Sequence, residues 1–435
     1  MKKIIFICLI SFSTIFQSIY CQSLTYDIVS YKIATNYNLS EKSIDVKAFL
    51  EIEKTVDSNN LKILLSPFAS LKSVTINNSL AEVSRPSSKN DTLLLVIPEQ
   101  CKKSEKINIS FEYILPADSF SFDSIIYLRR YNHWYPVQYD DNASMELDVK
   151  LPKNYSAFAV GDVNVKIDSN KKVYKYVHNN FFYYTLMIVK SEIYDTITRS
   201  IDNININFHF VSNDTVVNNK IINKFCNSFS FYNKYFGTYP NKQLTIVEFP
   251  FQGAQFVKSL STLIIMGSPF IEYFKMGYSD WPPHEIAHQW WGAGMYINSK
   301  TVCHLFLEES FTEYFSLLYI ENTLGEESFR NQLANHLKLY REIENKNEKP
   351  IIDIKTVSNK EDGYVISQKG PLVVNKLRNL MGDDAWKFFI LEVYNTYYGK
   401  FLTYDGFIKI LSNYDSDGKI RNELNKWLSE TGYID

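Results

Sequence analysis

The chain has 435 residues, of which 45% are hydrophobic and 15% aromatic, enough to form the cores of two domains of about 200 residues each. Its 46 basic and 48 acidic residues leave a formal net charge of −2, so the composition gives no electrostatic support for a nucleic-acid partner. The sequence contains no low-complexity run and no internal repeat.

The N-terminus has the pattern of a secretory signal peptide. Two lysines precede an apolar run from Ile4 to Phe16 that is too short to span a membrane comfortably. We therefore predict a signal peptide at 1–22, cleaved near Cys21, and an exported protein that is periplasmic or extracellular. Lipidation of Cys21 is an alternative, although the bulky tyrosine in front of it fits a lipoprotein signal poorly. No later stretch predicts a transmembrane span.

Hydrophobic periodicity divides the rest of the chain into two parts. Hydrophobic and polar residues alternate from Ile44 to Ile52 and from Ile107 to Tyr113, a period of two that is typical of half-buried strands. From about Thr215 the period becomes helical, and the first helical run ends at Gly237. We predict an α+β fold: an N-terminal β-sheet-rich domain at 23–207, and then a mainly helical domain with a small sheet at 208–435. Further helices are predicted at 311–320, 329–340, 372–381 and 422–428.

Cysteines are few in the predicted mature chain. Cys101, Cys226 and Cys303 remain after the signal region, and an odd, small number argues against a disulfide framework. Cys303 lies in the same part of the chain as the motif described next, and it is predicted to pack in the core.

The run His284-Glu285-Ile286-Ala287-His288 combines two metal-ligand residues with a carboxylate. Histidines four residues apart lie on one face of a helix, where both imidazoles can reach one Zn²⁺. Glu285 lies beside them, where it can take a proton from a water molecule that zinc has acidified. A helix is expected to begin here because two prolines precede the motif. The alternative is an amphipathic helix with two ordinary histidines, but the whole chain contains only 7 histidines.

A zinc site of this kind needs a third protein ligand, and Glu308 and Glu309 follow within reach. The pair of segments HEIAHQWWG and FLEESFTEY resembles the aminopeptidase N type of gluzincin zinc metallopeptidases, whose pattern is HExxHxWxG and then WLNEGFAxY. The resemblance places Glu309 at the third ligand, although the spacing from His288 is two residues longer than usual in that family. Glu313 supports this choice, because it lies four residues further on the same face and can bind the other ring nitrogen of a ligand histidine.

Further segments extend the resemblance over most of the chain in the family's order. They are 133–136, 147–152, 235–240 and 247–250. The resemblance implies a thermolysin-like catalytic domain at 208–435. Near residue 432 the chain ends where the family's catalytic domain finishes, which implies that the C-terminal helical domain of larger members is lacking and that the cleft is more open.

Two departures fall on residues that carry chemistry in the family. The family's GAMEN signature binds the substrate's free α-amino group through its glutamate. The matching run here is Gly253, Ala254, Gln255 and then Phe256, whose phenyl ring offers an ammonium group no hydrogen-bond acceptor. We predict that Gly253 to Gln255 form a strand that binds the substrate backbone. Strict aminopeptidase specificity is therefore not expected.

The second departure concerns the oxyanion. The family uses a tyrosine in a YEKG-like segment, and the aligned residue here is Ser367, whose hydroxyl is too short to reach the same point. Loss of one oxyanion donor typically costs about 10²–10³ in rate. Tyr364, three residues earlier, is a candidate substitute.

These features predict an exported zinc metallopeptidase with one Zn²⁺ ion that acts on peptide or protein substrates, with altered N-terminus recognition and slow turnover. The alternative is a catalytically impaired relative that binds zinc and uses the same cleft to hold peptides or a partner protein. An exported structural module without metal is a third hypothesis. The sequence leaves exopeptidase and endopeptidase action open, and it predicts no particular oligomeric state.

Overall fold

The computed structural model describes residues 26–432 apart from 56–57, 89, 123–124, 139–141, 182–183 and 345. The predicted signal peptide at 1–22, with Cys21, lies outside the described residues. Within the described ranges, no helix combines the length and the apolar character needed to span a bilayer.

The N-terminal part consists of strands, as the alternating pattern predicts. Its strands are β1 (Tyr26–Asn38), β2 (Ser43–Lys54), β3 (Asn60–Leu64), β4 (Ser70–Ile76), β5 (Ser79–Leu80), β6 (Glu82–Ser84), β7 (Thr92–Val96), β8 (Lys106–Pro116), β9 (Ser121–Phe122), β10 (Ile125–Leu128), β11 (Ala143–Pro152), β12 (Tyr155–Ala159), β13 (Asp162–Asp168), β14 (Lys171–Phe181) and β15 (Leu186–Lys190). In the described part of the chain they form three sheets, ordered β13-β14-β11-β1-β2-β8-β4-β5, β12-β15-β10-β9 and β3-β7-β6.

The two strands predicted most directly from the sequence, β2 and β8, lie side by side in the large sheet. They run antiparallel, with Ile44 opposite Leu115 and Ile52 opposite Ile107. Strand β2 follows the predicted alternation. Its apolar side chains at even-numbered positions from Ile44 to Ile52 are buried, whereas the charged side chains at the odd-numbered positions between and after them face outward. Lys47 and Glu112 form an exposed ion pair across the two strands at 2.8 Å.

The C-terminal part begins with strands and continues with helices. The strands are β16 (Asp195–Ile201), β17 (Ile204–Phe210), β18 (Gln243–Phe249), β19 (Val257–Leu260), β20 (Leu263–Gly267), β21 (Tyr296–Ile297) and β22 (Phe401–Leu402). The helices are α1 (Thr215–Tyr235), α2 (Pro269–Lys275), α3 (Trp281–Ala287), α4 (Phe311–Leu324), α5 (Glu326–Arg341), α6 (Lys360–Tyr364), α7 (Gly370–Met381), α8 (Asp383–Tyr397), α9 (Tyr404–Leu411) and α10 (Lys419–Ser429). The α+β prediction is confirmed, and α1, α4, α5, α7 and α10 coincide with the predicted helical runs.

One sheet lies between the two hydrophobic cores. Its order is β16-β17-β18-β20-β19, so β19 is an edge strand of the sheet. One face packs on the N-terminal core through Val247, Leu263 and Ile265, and the other packs on the helical core through Ile246 and Ile264. The predicted domain boundary at residue 207 falls within β17, and it stays a prediction.

Two π-helical turns, in which backbone hydrogen bonds span five residues rather than four, pack against each other in the helical core. The first π-turn is Phe306–Ser310, directly before α4, and the second π-turn is Val365–Lys369, directly before α7. The Ser310 hydroxyl donates to the Ile366 carbonyl at 2.7 Å. Gly370 lies so close that a Cβ added to it would come within 2.0 Å of Ser310 Oγ. The absence of a side chain at Gly370 therefore sets the separation of the two turns.

This close approach predicts that a smaller residue at 310 compensates for a side chain added at Gly370. We expect Gly370→Ala to lower the free energy of unfolding by about 2 kcal/mol, because inserting a methyl group into a tightly packed core costs on this order. Ser310→Gly alone should cost about 1 kcal/mol through its lost hydrogen bond. The double variant should be more stable than the sum of the two single effects, because glycine at 310 removes the clash. Urea denaturation of the four proteins measures this, and strict additivity would contradict it.

Candidate metal centre

The two motif histidines lie at the end of α3, a short helix with prolines in its first turn. His284 lies inside the helix, and His288 follows its last residue with helical backbone angles of φ −57° and ψ −25°. The helix is anchored by Trp281, whose ring packs edge-on against Phe225 and Phe270 with centroid distances of 5.4 Å each. Both imidazoles consequently project from one face, as the four-residue spacing predicts.

Three possible ligand atoms meet in front of this helix. His284 Nε2 lies 3.2 Å from His288 Nε2, and Glu309 Oε2 lies 3.4 Å from His284 Nε2 and 3.9 Å from His288 Nε2. Ligands bound to zinc at about 2.0–2.1 Å with tetrahedral angles are separated by about 3.3 Å. The donor set of two imidazoles and one carboxylate and its spacing therefore fit a Zn²⁺ ion with three protein ligands.

His284 is held at both ring nitrogens. Its Nδ1 lies 2.9 Å from Glu313 Oε2, on the first turn of α4, while its Nε2 faces Glu309. Burial by itself lowers the pKa of His284, but the hydrogen bonds with Glu309 and Glu313 and the negative charges of Glu313 and Glu285 outweigh it and hold the pKa well above its usual value. For Glu313, burial acts to raise the pKa, while the contacts with His284 and the charge of His336 bring it below its usual value.

His288 is the neutral member of the pair. Burial lowers its pKa to about 4. Its Nδ1 lies 3.1 Å from the Trp291 carbonyl, an acceptor that fixes the proton on Nδ1 and leaves the Nε2 lone pair facing the other two ligand atoms. Gly292 makes this approach possible, since its φ is +110° and an added Cβ would lie 2.9 Å from His288 Nδ1.

Glu285 is buried, with 6% of its surface exposed, and it receives a hydrogen bond from the edge strand. Ser259 Oγ in β19 lies 2.6 Å from Glu285 Oε2. Burial raises the pKa of the Glu285 carboxyl, and the charge of His284 and the hydrogen bond from Ser259 oppose that rise. A carboxylate with a raised pKa beside the ligand cluster has the properties of a general base.

The two adjacent glutamates of the first π-turn differ in their contacts. Of the two, only Glu309 belongs to the group of possible ligand atoms that lie within 4.8 Å of one another among the described residues, together with His284 and His288. Burial acts to raise its pKa, but the hydrogen bond with His284 and the charges of both histidines lower it. For Glu308, burial and then the charge of Glu309 raise the pKa. The geometry thus brings Glu309, rather than Glu308, to the histidines.

A buried glutamine fixes the motif helix to the sheet. Gln289 is 1% exposed, and its side-chain amide donates to the Leu260 carbonyl at 2.9 Å. Its side-chain oxygen accepts from the Thr262 backbone N–H and from the Tyr239 hydroxyl, at 3.0 Å each. These three bonds hold the β19-β20 hairpin beside the metal-binding residues, so the edge strand and α3 lie next to each other at the ligand cluster.

The strand predicted over Gly253 to Gln255 is not present. These residues form a turn, in which the Ala254 N–H donates to the Phe251 carbonyl at 2.9 Å, and the edge strand β19 begins only at Val257. The Ala254 carbonyl packs so closely on Gly267 that an added Cβ there would lie 1.6 Å from it. This contact packs the segment against the end of β20.

Phe256, at the position of the family's amine-binding glutamate, packs into the N-terminal core. Its ring centroid lies 5.6 Å from that of Phe249. Gln255, the neighbouring residue, is exposed. Neither residue places a carboxylate in the cleft.

The hydroxyl of Tyr364 makes no hydrogen bond to the ligand cluster. The residue is 2% exposed, and its hydroxyl has no hydrogen-bond partner among the described residues. The Lys360 ammonium lies 4.8 Å above its ring. Ser367 is occupied elsewhere, because its hydroxyl donates to the Gly363 carbonyl at 2.8 Å. The structure therefore brings together His284, His288, Glu285 and Glu309 of the predicted site, while a catalytic role of Tyr364 stays a prediction.

Three residues of the site were missed by sequence reasoning: Ser259, Lys258 and His336. Lys258 contributes positive charge near Glu285, Glu308 and Glu309. His336 Nε2 lies 3.6 Å from Glu313 Oε1. Only the place of Ser259 and Lys258 directly after the GAMEN-like run offered a signal in the sequence.

Cys303 is buried as a free thiol and takes no part in the ligand group.

Comparison with protein families gives a match for residues 281–427, the part that carries the candidate ligands. The matching model is described as the peptidase family M1 domain. Comparison with curated protein sequences gives no match.

Solved structures share the fold over nearly the whole chain. The M1 zinc metallopeptidase from Deinococcus radiodurans superimposes with a TM-score of 0.73 at 14% identity, covering 95% of each chain. A glutamate-to-alanine variant of that peptidase bound to a Tyr-Ser-Ala substrate gives a TM-score of 0.70 at 14% identity, covering 94% of this chain and 96% of the other. A two-domain M1 zinc metallopeptidase variant bound to L-arginine gives 0.72 at 14% identity, with the same coverage. The segment that carries the candidate metal centre, residues 281–427, thus matches the peptidase family M1 domain, and the described chain shares the fold of these solved structures.

Proposed function

We propose that this protein is a zinc-dependent metallopeptidase with one Zn²⁺ ion and with weakened recognition of the substrate's N-terminus. The observation that carries the proposal is the meeting of His284, His288 and Glu309 at ligand spacing, with Glu285 buried beside them. Peptides or proteins are the proposed substrates, consistent with the match to peptidase family M1. Export remains a prediction from the N-terminal sequence.

Each residue of the cluster has a separate role in the proposed hydrolysis of a peptide bond. His284, His288 and Glu309 would hold the zinc ion, which supplies Lewis acidity that polarises a peptide carbonyl and acidifies a water molecule. Glu285 would accept the proton from the attacking water and then deliver it to the leaving amine, which its raised pKa favours near neutral pH. Ser259 orients the Glu285 carboxylate through its 2.6 Å hydrogen bond.

The proposed path of the substrate runs along β19, beside the ligand cluster. An edge strand leaves backbone groups available for pairing with an extended peptide. We propose that the substrate backbone contacts the segment from Gly253 through Gln255 where it continues into β19. No acidic side chain stands at Phe256 to bind a free amine, so blocked or internal peptide segments are expected to be accepted.

The second candidate function is peptide binding without efficient catalysis. It is favoured by one observation: neither hydroxyl considered for the oxyanion is bonded to the ligand cluster, since Ser367 bonds to the Gly363 carbonyl and the Tyr364 hydroxyl is buried without a hydrogen-bond partner among the described residues. Tyr364 as the oxyanion donor stays a prediction that rests on its place in the chain. Zinc binding is common to both candidate functions, and only turnover separates them.

Turnover is tested by Glu285→Gln. We expect the variant to retain its zinc, because Glu285 supplies no ligand atom, and to lose at least about 10³-fold in kcat, because the general base is gone. The measurements are peptide cleavage and zinc content. Glu308→Gln is the matched control, a neighbouring carboxylate outside the ligand group, and it should keep both zinc and most activity. A wild-type protein that binds zinc but cleaves none of a broad peptide set would favour the binding function instead.

Recognition of the N-terminus is tested with pairs of free and N-acetylated peptides. A hydrogen bond to a charged group is worth about 1.5–3 kcal/mol, so an enzyme that requires the amine should discriminate by about 10- to 100-fold or more. We expect kcat/KM values within about tenfold for each pair. Strong rejection of acetylated peptides by the wild-type protein would contradict the proposed specificity.

The raised pKa of His284 predicts proton release on zinc binding. In the metal-free protein the pKa of His284 lies well above its usual value, which favours the protonated imidazole, and zinc binding must then displace that proton. Zinc affinity should therefore fall as the pH decreases below this pKa. Calorimetry at pH 7 in buffers of different ionisation enthalpy should show release of about one proton. Glu313→Gln removes one stabilising carboxylate and should reduce the number released, and a wild-type value of zero would contradict the assignment.

A further inference from the structure

The buried face of α5 contains one polar residue. The buried side chains of this helix are Phe329, His336 and Tyr340, which recur at helical spacing, and His336 is only 6% exposed. Burying an imidazole costs free energy unless its nitrogens find partners, whereas leucine at this position would pack without that cost. The position of His336 thus requires an explanation in terms of what its ring contacts.

The ring of His336 contacts the carboxylate that supports the metal ligand. Its Nε2 lies 3.6 Å from Glu313 Oε1, an ion-pair distance, and its Nδ1 has no hydrogen-bond partner among the described residues. The other oxygen of the same carboxylate, Oε2, lies 2.9 Å from His284 Nδ1. Each oxygen of Glu313 therefore faces one imidazole, and the three side chains form a row that leads from α5 through α4 to α3.

We infer that His336 is a positioning residue of the metal centre, and this inference rests on the proposed zinc site. It holds the Glu313 carboxylate with Oε2 directed at His284. That orientation keeps the His284 proton on Nδ1 and leaves Nε2 as the ligand atom, the arrangement by which partners of ligand residues raise metal affinity. Without His336, Glu313 can rotate away, because Oε1 loses the contact that fixes its position.

A purely structural contact between α4 and α5 is the competing explanation, and zinc affinity separates the two. The full chain would be prepared as wild type, His336→Leu and His336→Gln, and zinc dissociation constants would be measured by chelator competition. We expect about tenfold weaker binding for His336→Leu, since loss of such partners costs about 10- to 100-fold. His336→Gln should remain within about threefold, because its amide nitrogen reaches nearly the same point as Nε2.

A second buried histidine serves as a matched control for the general effect of removing a buried imidazole. His178 in β14 is also 6% exposed, and its ring bonds to Ser261 rather than to the metal centre. His178→Leu should lower the free energy of unfolding of the metal-free protein without weakening zinc. If His336→Leu fails to fold, His336→Asn serves, because its shorter amide cannot reach Glu313 and should bind zinc more weakly than His336→Gln.

Two further measurements distinguish a positioning role of His336 from a purely structural contact. In the cobalt-substituted protein, the visible absorption bands should shift in His336→Leu and stay unchanged in His336→Gln. In a double-mutant cycle with Glu313→Gln, the two effects on zinc affinity should be non-additive, because His336 acts through Glu313. A His336→Leu protein with wild-type zinc affinity and cobalt spectrum would overturn the inference. A wild-type protein that binds no zinc would instead overturn the proposed function.

Discussion

The hydrogen bond between His284 and Glu313 joins α3 to α4, and the arrangement of the candidate ligands depends on it. Glu309 and Glu313 lie four residues apart, so one helical segment presents a carboxylate to each nitrogen of the same imidazole, at 3.4 and 2.9 Å. The ring orientation is thereby fixed by the protein alone. Less conformational entropy is then lost when a ligand is bound, which is the benefit of a preorganised site.

Aromatic packing keeps these polar groups together. Trp291 stacks on Phe311 at a centroid distance of 5.1 Å, and its indole N–H donates to the Leu307 carbonyl in the first π-turn. The residues before and after Glu309 are thus tied to the segment that follows His288. A π-turn also takes up one residue more than an α-helical turn. Glu309 lies in this turn, and its carboxylate still reaches the two histidines.

The sequence predicts the parts of the site that depend on local spacing. Four-residue intervals fix His284 with His288 and Glu309 with Glu313, because an α-helix repeats every 3.6 residues. The alternation in β2 and β8 likewise follows from the pleat of a strand. Helices α2, α6, α8 and α9 were not predicted: α2 and α6 are very short, and the apolar run in α8 has no clear period.

Other features depend on contacts between distant parts of the chain. The turn at Gly253 to Gln255 forms because Ala254 packs on Gly267, thirteen residues later, and periodicity does not report such an approach. His336 reaches Glu313 only because α4 and α5 fold back on each other. The π-turns were unpredictable for the same reason, as they depend on Ser310 fitting against Gly370.

The electrostatics of the cluster bear on the choice among the three hypotheses. Glu285, Glu308, Glu309 and Glu313 are four neighbouring carboxylates, and the charge of Glu309 acts to raise the pKa of each of the other three. Collecting like charges in a poorly solvated region costs several kcal/mol unless a cation compensates them. A protein that needed only structural stability would gain by replacing them with apolar side chains. The retained carboxylates therefore weigh against a module without metal, and they leave catalysis and zinc-dependent binding as the two functions to distinguish.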